Sequence, residues 1–173
     1  GSVNIRFGAG SVAQLPEVVT GLNKKKVFIV TDPGVAAAGV LAKVEAILAS
    51  AGIETASYTD IKPNPTTTLI DAAAKVGVSF GADCIVALGG GSSLDSSKGI
   101  ALVVANPTFS SEKFDYSITP DRPALPIIAI PTTSGTGSET NNWGVIDDPI
   151  RQCKFSVGDA STTPVAAILD PEL

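Results

Sequence analysis

The sequence contains a glycine-rich turn that follows an apolar run and precedes a helical pattern. Residues 88–98 read LGGGSSLDSSK. Glycines let the backbone approach a ligand without a Cβ in the way, and a helix N-terminus offers free N–H groups and the positive end of a dipole to an anion. Gly89, Gly90 and Gly91 therefore predict a pyrophosphate-binding turn, with a plain tight turn as the alternative. The spacing matches neither a P-loop nor the G-x-G-x-x-G fingerprint, because Leu94 stands where the last glycine belongs.

The polar residues after these glycines have simpler interpretations as well. Ser92 and Asp95 have the spacing of a capping box, in which both side chains satisfy backbone groups at the start of the helix. Lys98 lies at about the second turn of this helix. Taken alone, it is at least as typical of a solvated helix residue as of a residue in the binding site.

Two further segments could contact the same ligand. Residues 131–140 (PTTSGTGSET) follow an apolar run and offer many hydroxyl groups, which suits the wrapping of a nucleotide but is also common in loops. Asp32 closes an earlier apolar run, where a carboxylate can bind ribose hydroxyls and repel the additional phosphate of NADP. Its alternative role is to open the Asp-Pro-Gly turn. Because Asp32 precedes Gly89 by a long stretch, the strand order must differ from that of a simple Rossmann half.

Composition excludes several classes of function. The net charge of −5 provides no basic surface for nucleic acid, and no apolar run is long enough to cross a bilayer. The sequence contains no histidine, which removes the Ser-His-Asp triad and nearly every zinc site. Cys84 and Cys153 are far apart in apolar contexts and are interpreted as buried, reduced thiols. We therefore expect a cytoplasmic protein without nucleic acid or membrane partners.

Alternation of short β-branched runs with alanine-rich helical stretches predicts an α/β domain with a mostly parallel sheet flanked by helices. Later apolar and polar residues alternate on both sides of a turn at 147–149, which predicts an added antiparallel hairpin. The apolar runs that support this interpretation are strands at 26–31, 55–58, 84–88, 125–130 and 165–169. The helical patterns lie at 40–48, at 64–76, where Asn64-Pro65-Thr66 opens the helix, and at 92–104.

The segments 89–98 and 131–139 together closely resemble the two signature loops of iron-containing (group III) alcohol dehydrogenases. Phe7 to Gly10, Val30 to Asp32, the Pro-Asn-Pro at 63–65 and the stretch from Val145 to Lys154 also fall where that family has them. This likeness implies a Rossmann-like N-terminal domain of the dehydroquinate synthase type, spanning residues 3–173. It further implies that the C-terminal helical metal-binding domain is absent from this chain.

By the same likeness, the chain would bind NAD, with NADP less favoured because of Asp32. Fe or Zn would belong to the full-length protein only, whose substrate would be a small alcohol or aldehyde and whose assembly into a homodimer is left open. The resemblance implies the following surroundings for the cofactor: Gly89, Gly90, Gly91, Ser92 and Asp95 at the pyrophosphate, Thr132 and Thr133 at the adenine and phosphate side, and Thr136 and Lys154 nearer the nicotinamide ribose.

Two alternatives remain at this point. A glycerol dehydrogenase or dehydroquinate synthase-like enzyme has similar glycine-rich loops, and a free-standing nucleotide-binding module would need no catalytic half. No residue of this chain is assigned a catalytic role.

Overall fold

The computed structural model describes residues 3–132 and 141–173. Within these residues the chain forms eight strands, five α-helices and short 3-10 turns. The strands are β1 (Asn4–Phe7), β2 (Lys26–Val30), β3 (Glu54–Tyr58), β4 (Cys84–Gly89), β5 (Ile127–Pro131), β6 (Trp143–Asp148), β7 (Cys153–Gly158) and β8 (Ala166–Leu169). The helices are α1 (Leu15–Gly21), α2 (Pro33–Ala37), α3 (Val40–Ser50), α4 (Thr67–Phe80) and α5 (Gly91–Ala105).

Local sequence signals explain where the helices begin and end. The hydroxyl of Thr66 accepts a hydrogen bond from the N–H of Leu69 at 3.1 Å and so caps the start of α4. The same helix ends at Gly81, whose φ of 79° is unfavourable for other residues. Asp32 caps α2 in the same way, and Pro33 occupies the first helical position, where its missing N–H costs nothing.

Six parallel strands form one sheet in the order β1-β8-β5-β4-β2-β3. From β2 the chain moves outward to β3 and then returns to form β4 on the other side of β2. Strand order therefore reverses between β2 and β4. In open parallel sheets ligands bind in the crevice that such a reversal opens at the carboxyl ends of the strands.

Apolar side chains from alternating strand positions fill both faces of this sheet. Phe28, Ile85 and Ile127 pack against α4 and α5, whereas Ile29, Val86 and Ile128 pack on the opposite face with α1 and α3. All six side chains are almost fully buried. The result is a three-layer arrangement that holds the carboxyl ends of β2, β4 and β5 in fixed register.

The separate antiparallel pair β6–β7 packs across α5. The two strands meet with Ile146 opposite Phe155, and Ile146 is buried beneath the hairpin. A Cβ placed on Gly144 would lie 2.6 Å from the backbone oxygen of Asp95, so glycine is required for this close approach. The hairpin thereby lies against the helix that begins at the glycine-rich turn.

The predicted fold class and the added hairpin are confirmed. Among the described residues, no helix is both long and apolar enough to span a membrane. The prediction that both cysteines are buried is wrong for Cys153, which is exposed at the start of β7, whereas Cys84 is buried. The 3-10 turn at Ser11–Gln14 and the strand β1 were not predicted, because short edge elements have little apolar periodicity.

Candidate functional site

The reversal of strand order brings Asp32 beside the glycine-rich turn. Because β2 and β4 pair directly, Asp32, just after β2, and Gly89, the last residue of β4, lie at the same edge of the sheet. Asp32 Oδ1 accepts a hydrogen bond from the N–H of Val35 at 2.8 Å. Its other oxygen, Oδ2, lies 3.5 Å from the point that a Cβ on Gly89 would occupy. One carboxylate thus opens α2 and also faces the predicted anion site.

The turn itself is built so that only glycine fits at its first position. Gly89 has a φ of 135°, which side-chain-bearing residues rarely adopt, and a Cβ there would lie 3.0 Å from Ser93 Oγ. Gly90 is the N-cap residue of α5 and, having no side chain, caps none of the N–H groups of the first turn. Among residues 3–132 and 141–173 no side chain caps the N-terminus of this fifteen-residue helix, and we call that terminus open. It lies at the carboxyl edge of the sheet.

This geometry corrects the capping-box interpretation of Ser92 and Asp95. The helix begins at Gly91 with Gly90 as its cap, so Ser92 is already inside the first turn. The carboxylate of Asp95 instead accepts a hydrogen bond from the backbone N–H of Val145 in β6. Burial raises the pKa of Asp95, while that N–H and the charge of Lys98 act in the opposite direction. Asp95 thus holds the hairpin against α5, and its contact with a pyrophosphate stays a prediction.

Two buried hydroxyl groups at this edge have no hydrogen-bond partner among the described residues. They are Thr31 Oγ1, directly before Asp32, and Ser93 Oγ, in the first turn of α5. Both residues are at most 1% exposed. An unpartnered buried hydroxyl costs free energy, so such groups commonly mark the place of a ligand or an ordered water. These two hydroxyls, the glycine turn and the open helix terminus fit a phosphorylated cofactor.

Thr132 belongs to the same edge. Its N–H donates a hydrogen bond to the carbonyl oxygen of Gly89 at 3.2 Å, which ties the end of β5 to the glycine turn. Thr133 and Thr136, which the family likeness assigned to the cofactor, lie outside the described residues.

Lys154 lies on the hairpin and is bound to other groups. Its Nζ donates to Asn64 Oδ1 at 3.2 Å and forms an ion pair with Asp147 at 3.5 Å, with the lysine side chain 60% exposed. Asn64 comes from the loop before α4 and has a left-handed φ of 53°. The structure therefore joins Lys154 to the Pro-Asn-Pro segment. Its place near a nicotinamide ribose stays a prediction.

Sequence reasoning did not identify the buried hydroxyls of Thr31 and Ser93, and it did not predict the burial of Lys98. The side chain of Lys98 is fully buried, contrary to its interpretation as a solvated residue. A signal for this burial was present, because residues 96–103 are almost free of charge and Lys98 is the single charged residue in that run. A lone charge within such an uncharged stretch of a helix indicates an internal partner.

The described residues contain no group of three or more His, Cys, Asp or Glu side chains that could hold a metal ion. This finding concerns residues 3–132 and 141–173.

Comparison with known proteins gives consistent matches along the whole chain. Residues 2–171 match the family described as "Iron-containing alcohol dehydrogenase". Lactaldehyde reductase of Escherichia coli K12 is 36% identical over 96% of this chain and 44% of its own length.

Solved structures agree with this match. The H277A mutant of ADH/D1, an archaeal halo-thermophilic alcohol dehydrogenase from a Red Sea brine pool, superposes with a TM-score of 0.90 and 37% identity, covering 98% of this chain and 44% of that one. Sulfoacetaldehyde reductase from Bifidobacterium kashiwanohense, solved in complex with NAD+, has a TM-score of 0.88 and 30% identity, covering 99% and 45%. The chain thus spans less than half the length of the relatives that it matches.

Proposed function

Because the chain belongs to the iron-containing alcohol dehydrogenase family, we propose that it binds NAD(H) at the carboxyl edge of its parallel sheet. In the whole protein this binding would serve the interconversion of an alcohol with an aldehyde or ketone. The observation that carries the proposal is the convergence of the Asp32 carboxylate, the Gly89 turn and the open N-terminus of α5 where strand order reverses.

Each part of the edge has a chemical role in this proposal. The N–H groups at Gly90, Gly91 and Ser92 would bind the pyrophosphate, since the helix terminus provides donors and a favourable dipole. Thr31 and Ser93 would supply hydroxyls that have no partner among the described residues.

The Asp32 carboxylate would accept hydrogen bonds from the adenosine ribose, which favours NAD over NADP. From the family likeness alone, we also assign Asp95 and Thr132, together with Thr133 and Thr136, to the nucleotide, and Lys154 to the nicotinamide side. The nicotinamide, when bound, supplies the carbon that accepts or donates hydride.

From the same family likeness we propose that the full-length protein uses a metal ion. Iron or zinc would serve the full-length protein by polarising the substrate oxygen, and its ligands would lie outside this chain. The sequence has no histidine. We therefore expect the 173-residue chain to bind NADH without reducing NAD+ in the presence of a short-chain alcohol. Steady NAD+ reduction by the purified chain would contradict this expectation, after the rates without protein and without alcohol have been subtracted.

The cofactor proposal is tested by competition at equilibrium. NADH is titrated into the protein while the fluorescence of its nicotinamide ring is followed. ADP, AMP and adenosine are then added as competitors of NADH. If the helix terminus binds the pyrophosphate, ADP displaces NADH at lower concentration than AMP, and adenosine is weakest. Equal displacement by adenosine and ADP, or no saturable NADH binding, would overturn the proposal.

A further inference from the structure

Lys98 is the only lysine or arginine in the described part of the chain that is buried. It lies on α5, two turns after the glycine-rich turn. Its Nζ donates to Asn141 Oδ1 at 2.7 Å and to the carbonyl oxygen of Trp143 at 2.9 Å. Both acceptors belong to residues 141–143, which we call the return segment because the described chain resumes there before β6.

Other contacts converge on the return segment. The carbonyl oxygen of Asn142 accepts hydrogen bonds from the hydroxyls of Tyr116, at 3.2 Å, and Thr162. Asn141 Oδ1 also accepts the N–H of Trp143 at 3.3 Å. Three residues in succession are therefore fixed by side chains from elsewhere in the fold, and Lys98 is the charged member of this set.

The choice of lysine at this position has a cost that packing alone does not explain. Removing an ammonium group from water is unfavourable unless its donors are used, whereas methionine would fill a similar volume without that penalty. Charge-assisted hydrogen bonds are stronger and more directional than apolar contacts. A buried lysine is thus suited to fix the position of the atoms that it binds, beyond filling space.

The position that Lys98 fixes bears on the cofactor site. At the other end of the connection from β5, the N–H of Thr132 is bonded to the carbonyl oxygen of Gly89. Lys98 attaches the return segment to the same helix that begins at this turn. Both described ends of the connection are therefore fastened to the glycine turn and α5.

We propose that Lys98 is a positioning residue for cofactor binding: its ammonium group fixes the return segment against α5, and the affinity for NAD(H) depends on that attachment. The inference rests on the proposed function for its effect on affinity. The attachment itself is independent of any ligand.

The first test uses Trp143, the only tryptophan of the chain. Trp143 is 48% exposed, so a collisional quencher such as acrylamide reports how firmly the return segment is held. In Lys98→Met we expect the quenching constant to rise about twofold, because both hydrogen bonds to the segment are lost. The control Lys75→Met removes an exposed lysine from α4 and should leave quenching unchanged. Equal quenching in Lys98→Met and the wild-type chain overturns the positioning role.

The second test measures NADH affinity in the same variants. We expect Lys98→Met to raise the Kd for NADH at least about tenfold, and Lys75→Met to leave it within about twofold. Far-ultraviolet circular dichroism checks that each variant retains its helices. A folded Lys98→Met chain that binds NADH like the wild type contradicts the proposal.

A variant on the other side of the contact keeps the test decisive if Lys98→Met does not fold. Asn141→Leu removes the side-chain acceptor without changing α5, whereas Asn141→Asp retains an acceptor for both donors. The proposal predicts a higher Trp143 quenching constant and a higher Kd for NADH in Asn141→Leu. In Asn141→Asp both values should return toward those of the wild-type chain. Identical behaviour of the two Asn141 variants refutes it. A wild-type chain that does not bind NADH refutes the proposed function, and Trp143 quenching then still decides whether Lys98 fixes the segment.

Discussion

The proposed preference for NADH over NADPH is tested most sharply at the Asp32 carboxylate. This carboxylate is half-buried beside the glycine turn, with Oδ1 bonded to the N–H of Val35 and Oδ2 facing Gly89. Replacement by alanine would remove the charge and the helix cap together, at a cost of about 1 kcal/mol for the cap. Asp32→Asn is the cleaner perturbation, because the amide oxygen can still accept from Val35 while the charge is lost.

The size of the effect follows from the repulsion between this carboxylate and the 2′-phosphate of NADPH. Two unit charges about 6 Å apart interact by roughly 3 kcal/mol at an effective dielectric constant of about 20. Salt and partial exposure reduce this repulsion, so at least about 1.4 kcal/mol should remain. A free-energy difference of about 1.4 kcal/mol corresponds to a factor of about ten in affinity. We therefore expect Asp32→Asn to lower the ratio of the NADPH Kd to the NADH Kd at least about tenfold.

The assay is a parallel titration of both nucleotides by fluorescence at low and moderate salt. Asp121→Asn is the matched control, since it removes an exposed carboxylate from the connection before the amino end of β5, away from the site. The control should leave the ratio unchanged, and added salt should narrow the difference between the wild-type chain and Asp32→Asn. A ratio that stays within twofold of the wild-type value in Asp32→Asn would refute the assignment of Asp32.

Further predictions concern close contacts and the two thiols. Gly89→Ala should destabilise the chain by about 1–3 kcal/mol in urea unfolding and abolish NADH binding, whereas Gly52→Ala, also at positive φ but in open space, should weaken stability only. Gly144→Ala should cost about 1–3 kcal/mol of unfolding free energy, because its Cβ meets backbone; wild-type stability would contradict that contact. Burial raises the pKa of Cys84 to about 12, so a thiol reagent at pH 8 should titrate Cys153 alone in the native chain and both thiols in denaturant.

Local sequence patterns predicted the elements of this fold but not how distant elements meet. The apolar runs and helical patterns predicted an α/β fold with a mostly parallel sheet, and the resemblance of the two signature loops implied the dehydroquinate synthase type. The sheet topology and the related structures confirm this fold. The placement of Asp32 beside Gly89 was not predictable from spacing, because it depends on the pairing of β2 with β4, which are separated along the chain by β3. Tertiary pairing of this kind leaves no local periodicity.

The side-chain roles show the same division. The Ser-x-x-Asp spacing at 92–95 predicted a capping box, yet packing of the hairpin against α5 brought Val145 to Asp95. The burial of Lys98 likewise follows from the return segment lying over the helix, and sequence distance conceals that contact. The exposure of Cys153 follows from its position at an end of a two-stranded hairpin, where one face is open to solvent.

The central claim is that a dinucleotide binds where strand order reverses, and amide NMR on the isotope-labelled chain tests it most directly. On titration with NADH, we predict saturable chemical-shift changes concentrated at the carboxyl edge, in Asp32, Gly90, Gly91, Ser92 and Thr132. Amides at the amino ends of the strands should remain unperturbed. Shift changes centred on those amino ends, or no saturable change, would contradict the account.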